Sequence, residues 1–261
     1  MRASVSEMRV KEACKALRMP GALKALDGLV RDAESRSTPY LDFLAALLEQ
    51  ELSSRQQSRL RTNLKRARFP LLKTLDQFDF SAQPSVSKQL VMELAGGNFT
   101  AQRHNVLLIG NPGTGKSHIA TGLGMAAVSS GRRVRFETAL SLIDQLLAAA
   151  DRHALVPYMK TWRRVDLLIL DELGYIPLAR DSAHALFAFL SDCYEKRSVI
   201  ATSNLEFSRW TEIFQDPQLT TALLDRLTHH AHLIQFTGDS YRFRDSLRSR
   251  SPEPVPSAGL A

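Results

Sequence analysis

The sequence predicts an α/β fold: a mostly parallel five-stranded sheet flanked by helices and preceded by a small all-helical N-terminal domain. Three observations predict it. The apolar period is helical over the first 80 residues and becomes strand-like near residue 105. Short β-branched runs then alternate with helical patterns, which implies a sheet covered on both faces. A glycine-rich segment joins the first such run to the first helix after it.

In the N-terminal part, Pro20 stands ahead of Leu23, Leu26 and Val30, a helical stripe behind a proline start. Thr38 and Pro39 read as N-cap and first-turn proline for Leu41, Leu44, Leu48 and Leu52, at spacings of three and four. The pattern continues to about Arg68 and stops at Phe69-Pro70. Residues 76–84 are polar with aromatic anchors and read as a linker or docking strap. The domain division that follows is 1–80 helical and basic, 81–97 linker, 98–250 sheet domain, and 251–261 a proline-bearing disordered tail.

Within the sheet domain the expected strands are 105–109, 133–137, 167–171, 199–203 and 233–236. Helical patterns at 118–129, 140–150, 157–164 and 182–194 separate the first four. Two more, 210–214 and 220–226, lie between the fourth and fifth.

Composition narrows the class. With 44% apolar and 23% charged residues in 261, the chain has the balance of a soluble globular protein. Its formal charge of +7 favours an anionic partner such as nucleic acid. No apolar run approaches the roughly 20 residues a membrane helix needs, and the N-terminus lacks an apolar signal segment. Cys14 and Cys193 are far apart and outside ligand spacing, so a reducing, cytoplasmic setting is expected. His229, His230 and His232 run into a strand with no cysteine or carboxylate to complete a metal set, and read as structural or surface histidines.

The chemistry begins with Gly110-Asn111-Pro112-Gly113-Thr114-Gly115-Lys116-Ser117, a full G-x-x-x-x-G-K-[ST] segment between a buried strand and a helix. Gly113 and Gly115 allow backbone N–H groups to turn inward around a phosphate, and the following helix adds its positive end. Lys116 suits the β- and γ-phosphates of ATP, and the hydroxyl of Ser117 suits Mg2+. The third strand ends in Asp171-Glu172. An aspartate at that edge faces the nucleotide crevice and can hold the metal, while Glu172 beside it can polarise a water. The fourth strand runs into Asn204, placed to contact the γ-phosphate or that water.

With the segments LLIGNPGTGKSHIA, DLLILDELGY, VIATSN, LLDRL and GDSYR in view, residues 97–248 resemble AAA+ ATPases of the IstB/DnaC-like family. The N-terminal RMPG and RQQSRLRTNLKRARFP segments are similar to IstB-type transposition helpers. The resemblance implies ATP hydrolysis, assembly on double-stranded DNA as a head-to-tail homo-oligomer, and a transposase partner. It makes Arg226 an arginine finger for a neighbouring subunit and Arg242 a second phosphate sensor. Only about 25 residues follow Phe236, too few for the helical lid typical of the class, so Arg242 is expected to act from one short helix.

Arg55, Arg59, Arg61, Lys65, Arg66 and Arg68, with Lys73 beyond, form the densest basic run. On a helix they make two cationic stripes beside Leu60, Leu64 and Ala67, suited to DNA phosphates. Arg152, Lys160, Arg163 and Arg164, near Trp162, form a second candidate. Two other functions stay open on sequence: a DnaC-like helicase loader, and a small-molecule P-loop kinase, which leaves the basic run unexplained.

Overall fold

A computed structural model describes residues 5–238 and Ser240. The chain divides into two compact units, Met1–Thr62 and Asn63–Ala261, so residues 63–80 group with the sheet.

The first unit contains α1 (Val5–Ala16), α2 (Pro20–Arg36) and most of α3 (Tyr40–Ala67). Proline occupies the first turn of α2, and Pro39 lies just ahead of α3, whose first turn begins with Phe43 N–H donating to the Pro39 carbonyl. Cys14, Ala22, Leu26 and Leu47 form the core, with Phe43, Leu23 and Val30 packed around it. This overturns one expectation: Leu41, Leu44, Leu48 and Leu52 are exposed. The inward stripe of α3 is instead Phe43, Leu47 and Glu51, and the buried carboxylate disguises it. Glu51 accepts from the N–H groups of Gly21 (2.7 Å) and Ala22 (3.2 Å), which open α2, and from Arg55 Nε at 2.6 Å.

The second unit is a five-stranded parallel sheet in the order β2-β3-β4-β1-β5, with β1 Asn105–Gly110, β2 Val134–Thr138, β3 Leu167–Leu173, β4 Ser198–Ser203 and β5 Ala231–Phe236. All four neighbouring pairs are parallel. Side chains alternate between the two faces, as strand geometry requires. On one face Val106, Leu108, Ile169 and Ile200 pack with Ile119 and Leu123 of α6 (Lys116–Ser129) and Val91 and Leu94 of α4 (Lys88–Ala95). On the other, Leu107, Leu168, Leu170 and Ala201 meet α7 (Ala139–Asp151), α9 (Arg180–Cys193) and α11 (Pro217–Thr228). The short helices α5 (Asn98–Gln102), α8 (Leu155–Trp162) and α10 (Trp210–Phe214) complete the unit.

The stretch expected to be a linker is structured. Ser87 caps α4 by accepting from Leu90 N–H, and the helix buries Val91 and Leu94. The strap expected over 76–84 docks on the sheet unit. A 3-10 turn (Leu75–Gln77) leads into it, and its Phe78 and Phe80 rings meet edge-on at 4.8 Å. Arg68 ends α3 in the left-handed region and approaches Glu137 at 3.8 Å. No helix of the described residues is long and apolar enough to cross a membrane. The expected tail, 251–261, lies outside the described residues.

Candidate active site

The loop after β1 carries the glycine-rich segment into the first turn of α6. Gly113 (φ +77) and Gly115 (φ +101) both occupy the left-handed region, and each has a neighbour where a side chain would stand. A Cβ on Gly115 would lie 2.6 Å from the Phe78 ring. Glycine there serves two ends, turning the loop and admitting the strap. Lys116 is 8% exposed, and its ammonium donates to the carbonyls of Gly110 and Asn111, both at 2.6 Å. Thr114 donates to the Asn111 carbonyl and stiffens the loop from within.

The order of strands brings the acidic pair to this loop. β4 lies between β1 and β3, and both neighbours end at the same edge. Ser117 Oγ donates to Asp171 Oδ1 at 2.9 Å, and Thr202 Oγ1 of β4 donates to the same oxygen at 2.5 Å. Asp171 is 7% exposed, and these two hydroxyls satisfy its buried Oδ1. Glu172 differs: its side chain is exposed, and its backbone is left-handed at φ +63. That conformation costs a non-glycine residue about 1–2 kcal/mol. Its N–H donates to Thr202 Oγ1 at 3.0 Å. The β3–β4 register moves from Leu170↔Ala201 to Leu173↔Ser203, one extra residue on β3, so the acidic pair sits on a bulge.

A cavity of about 370 Å³ lies over the loop, within the usual size for a small-molecule site. Gly113, Thr114, Gly115, Lys116, Ser117, Asp171 and Glu172 line it on one side. The other wall is the strap and the segment before it, including Leu71, Lys73, Phe78 and Gln83. His118 anchors that wall through Nε2 to the Thr74 carbonyl (2.8 Å) and an edge-on contact with Phe78 at 5.3 Å. Gln83 reaches the segment after β5, donating to the Thr237 carbonyl at 2.6 Å. Sequence reasoning marked the aromatic anchors but gave this strap no place in the site, because only the tertiary fold lays it across the loop.

The remaining sequence-derived residues fall elsewhere. Gly110, Asn111 and Pro112 belong to the loop but not to the cavity lining. Asn204 follows β4 in a turn where Ser203 Oγ bonds both the N–H and the carbonyl of Leu205; it too is off the lining. Arg226 lies in the last turn of α11, half-buried, 5.2 Å from the Phe187 ring and donating to the Ala222 carbonyl. The next residue, Leu227, accepts from the Asn105 side chain at 3.0 Å, which sets this turn at the starting end of β1. Arg242 lies outside the described residues.

Of the basic run, Arg59, Arg61, Lys65 and Arg66 are exposed on α3. Arg55 pairs with Glu51 and the Arg18 carbonyl, and Arg68 faces Glu137, so these two have structural partners. Leu64 and Ala67 pack into the core of the sheet unit. In the second candidate, Arg152, Lys160, Arg163 and Arg164 are exposed, whereas Trp162 is a core residue against Phe189.

The chemistry of this site follows from its donors. A loop turned by two left-handed glycines, an ammonium and a helix start suit a polyphosphate. One carboxylate and one hydroxyl 2.9 Å apart suit a magnesium ion that takes its other ligands from phosphate and water. Among the described residues no group of three or more histidine, cysteine or carboxylate side chains could hold a metal alone.

Fold, loop and acidic strand define a P-loop ATPase of the AAA+ class. Solved structures share the fold. A DNA replication initiation factor superposes with a TM-score of 0.54 at 20% identity, over 67% of this chain and 53% of that one. AMPPCP-bound DnaA from Aquifex aeolicus gives 0.53 at 19%, over 72% and 59%. The chain thus spans just over half the length of these structures. Its family is shown by sequence: the chain belongs to the IstB-like ATP binding protein family, whose model matches residues 12–249. An ATP-binding protein of insertion sequence IS21 from Pseudomonas aeruginosa is 41% identical over 224 residues, 86% of this chain and 84% of that protein. Its counterpart from insertion sequence IS5376 of Geobacillus stearothermophilus is 38% identical over 237 residues, 91% and 94% of the two chains.

Proposed function

We propose that this chain is an ATP-controlled assembly factor for transposition. It oligomerises head-to-tail on double-stranded DNA, remodels it and stimulates a partner transposase. The observation that carries the reading is the position of Arg226. Its turn is bonded to the first residue of β1, whereas the phosphate loop leaves the last. Six strand residues separate them, about 20 Å. An arginine that far from its own loop serves hydrolysis in a neighbour's site, where it stabilises charge developing on the γ-phosphate. Such a contact is heterologous and builds a ring or spiral.

Within one subunit, Lys116 and the loop N–H groups hold the phosphates. Ser117 and Asp171 hold Mg2+, which neutralises phosphate charge when bound. Glu172 polarises the attacking water, and Asn204 approaches it from the end of β4. Arg59, Arg61, Lys65 and Arg66 of α3 meet DNA phosphates without reading sequence. The transposase partner is supported by the relatives, which are named as ATP-binding proteins of insertion sequences.

The test uses the Glu172→Gln variant with ATP and Mg2+ on double-stranded DNA, followed by sedimentation. The expected result is ATP-dependent oligomers that stay on DNA because turnover is blocked. A variant that remains monomeric on DNA with ATP bound contradicts the reading.

A further inference from the structure

We propose that Thr202 is a positioning residue whose single hydroxyl sets both acidic groups of the site. The inference rests on the reading of Glu172 as the group that polarises water. Thr202 is the penultimate residue of β4, 2% exposed, and β4 is the strand between the phosphate-loop strand and the acidic strand. A hydroxyl has one proton and two lone pairs. Here the proton goes to Asp171 Oδ1 and a lone pair receives the N–H of Glu172.

Both bonds answer a need created by the bulge. The extra residue between Leu170 and Leu173 removes Glu172 from the regular β3–β4 ladder, so its N–H requires a partner other than a strand carbonyl. Thr202 is that partner, and the bond holds Glu172 in its left-handed conformation beside the cavity. The same hydroxyl fixes the Asp171 carboxylate, whose Oδ1 also receives Ser117. One oxygen atom of β4 thereby sets the direction of the Glu172 side chain and the rotation of the metal-facing carboxylate. A water-polarising group displaced by about 1 Å can lose up to roughly 100-fold in rate.

Valine has the shape of threonine without the proton or the lone pairs, while serine keeps both. Turnover of ATP is measured with double-stranded DNA present for the wild type, Thr202→Val, Thr202→Ser and Glu172→Gln, alongside binding of a fluorescent ATP analogue and thermal melting. For Thr202→Val we expect kcat down roughly 10- to 100-fold, KM for ATP within about threefold, and nucleotide binding retained. Thr202→Ser should recover most of kcat. If Thr202→Val does not fold, Thr202→Ala carries the same expectation with less steric demand. Wild-type kcat in the Val and Ala variants, with Glu172→Gln slow, overturns this inference alone. An equally slow serine variant also overturns it, since the hydroxyl then is not the determinant. Wild-type kcat in Glu172→Gln removes the reading of the site and this inference with it.

Discussion

The two ends of strand β1 carry polar residues of similar kinds that meet opposite fates. At the starting end, Asn105 is buried, and its side chain donates to the Leu227 carbonyl and accepts from Val199 N–H, both at 3.0 Å. Its own N–H donates to the His230 carbonyl at 2.7 Å. Nearby, His104 and His230 stack at 5.2 Å, and the Tyr194 hydroxyl meets His229 Nδ1 at 3.0 Å. These partners bond one another, which makes the Asn105 cluster a structural joint beneath the Arg226 turn. At the finishing end, Lys116, Ser117, Asp171 and Glu172 converge on a cavity instead. A polar cluster becomes a site when its groups face a common open volume, and a joint when they face each other.

Lys116→Ala should show the largest effect, because it removes the only buried lysine among the described residues from the phosphate loop. ATP turnover is expected to fall on the order of 1,000-fold, as when a preorganised donor to developing charge is lost. Steady-state phosphate release checks it. A variant within tenfold of the wild type breaks the distinction between the two ends.

Asn105→Leu should do the reverse. Val199 N–H and the Leu227 carbonyl lose their side-chain partners, at a cost of about 2–4 kcal/mol in stability. Turnover per folded molecule at 25 °C should stay within about twofold of the wild type. Denaturant unfolding and single-turnover hydrolysis on the same sample separate the two quantities. A large loss of turnover without a loss of stability would mean that Asn105, through its bond to Leu227, also positions the Arg226 turn for the neighbouring site.

The helical unit contains a third cluster of the closed kind, and its effect is smaller and pH-dependent. The Arg55 guanidinium holds the Glu51 carboxyl below its ordinary value of 4.5. Burial opposes this, and the N–H groups of Ala22 and Gly21 assist. A carboxyl whose folded value is depressed contributes stability above its unfolded value and loses it as pH falls through the folded one. The stability difference between the wild type and Glu51→Gln should therefore be full at pH 7, shrink below about pH 4.5, and vanish at lower pH. Urea unfolding across that range checks it. A pH-independent difference would place the contribution in packing alone.

The strands were legible as short apolar runs, buried on both faces in β1, β3 and β4 though not in the edge strand β5, and the phosphate loop because its glycines have a fixed geometric task. Asp171 and Glu172 were legible as a pair at a strand end. The bulge beneath them was not, since it depends on the register with β4. For the same reason Thr202 passed as an ordinary strand residue. The stripe Leu41, Leu44, Leu48 and Leu52 misled because α3 has two apolar faces, and the inward one includes a charged residue, Glu51. Ser87 and two apolar positions one turn apart were too weak a signal to separate α4 from a linker. Phe78 could be seen as an anchor, but what it anchors on is Gly115, 37 residues further along the chain.

The central claim is that the ATPase site is shared between subunits, and one mixing experiment tests it most directly. Lys116→Ala keeps Arg226 but lacks the phosphate-loop ammonium, whereas Arg226→Ala keeps the loop but lacks the finger. Each alone on double-stranded DNA should be nearly inactive with ATP and Mg2+. Mixed at equal concentration they should recover a substantial fraction of wild-type turnover, because some interfaces then pair an intact loop with an intact arginine. A mixture that releases phosphate no faster than the sum of its two components would contradict the shared site.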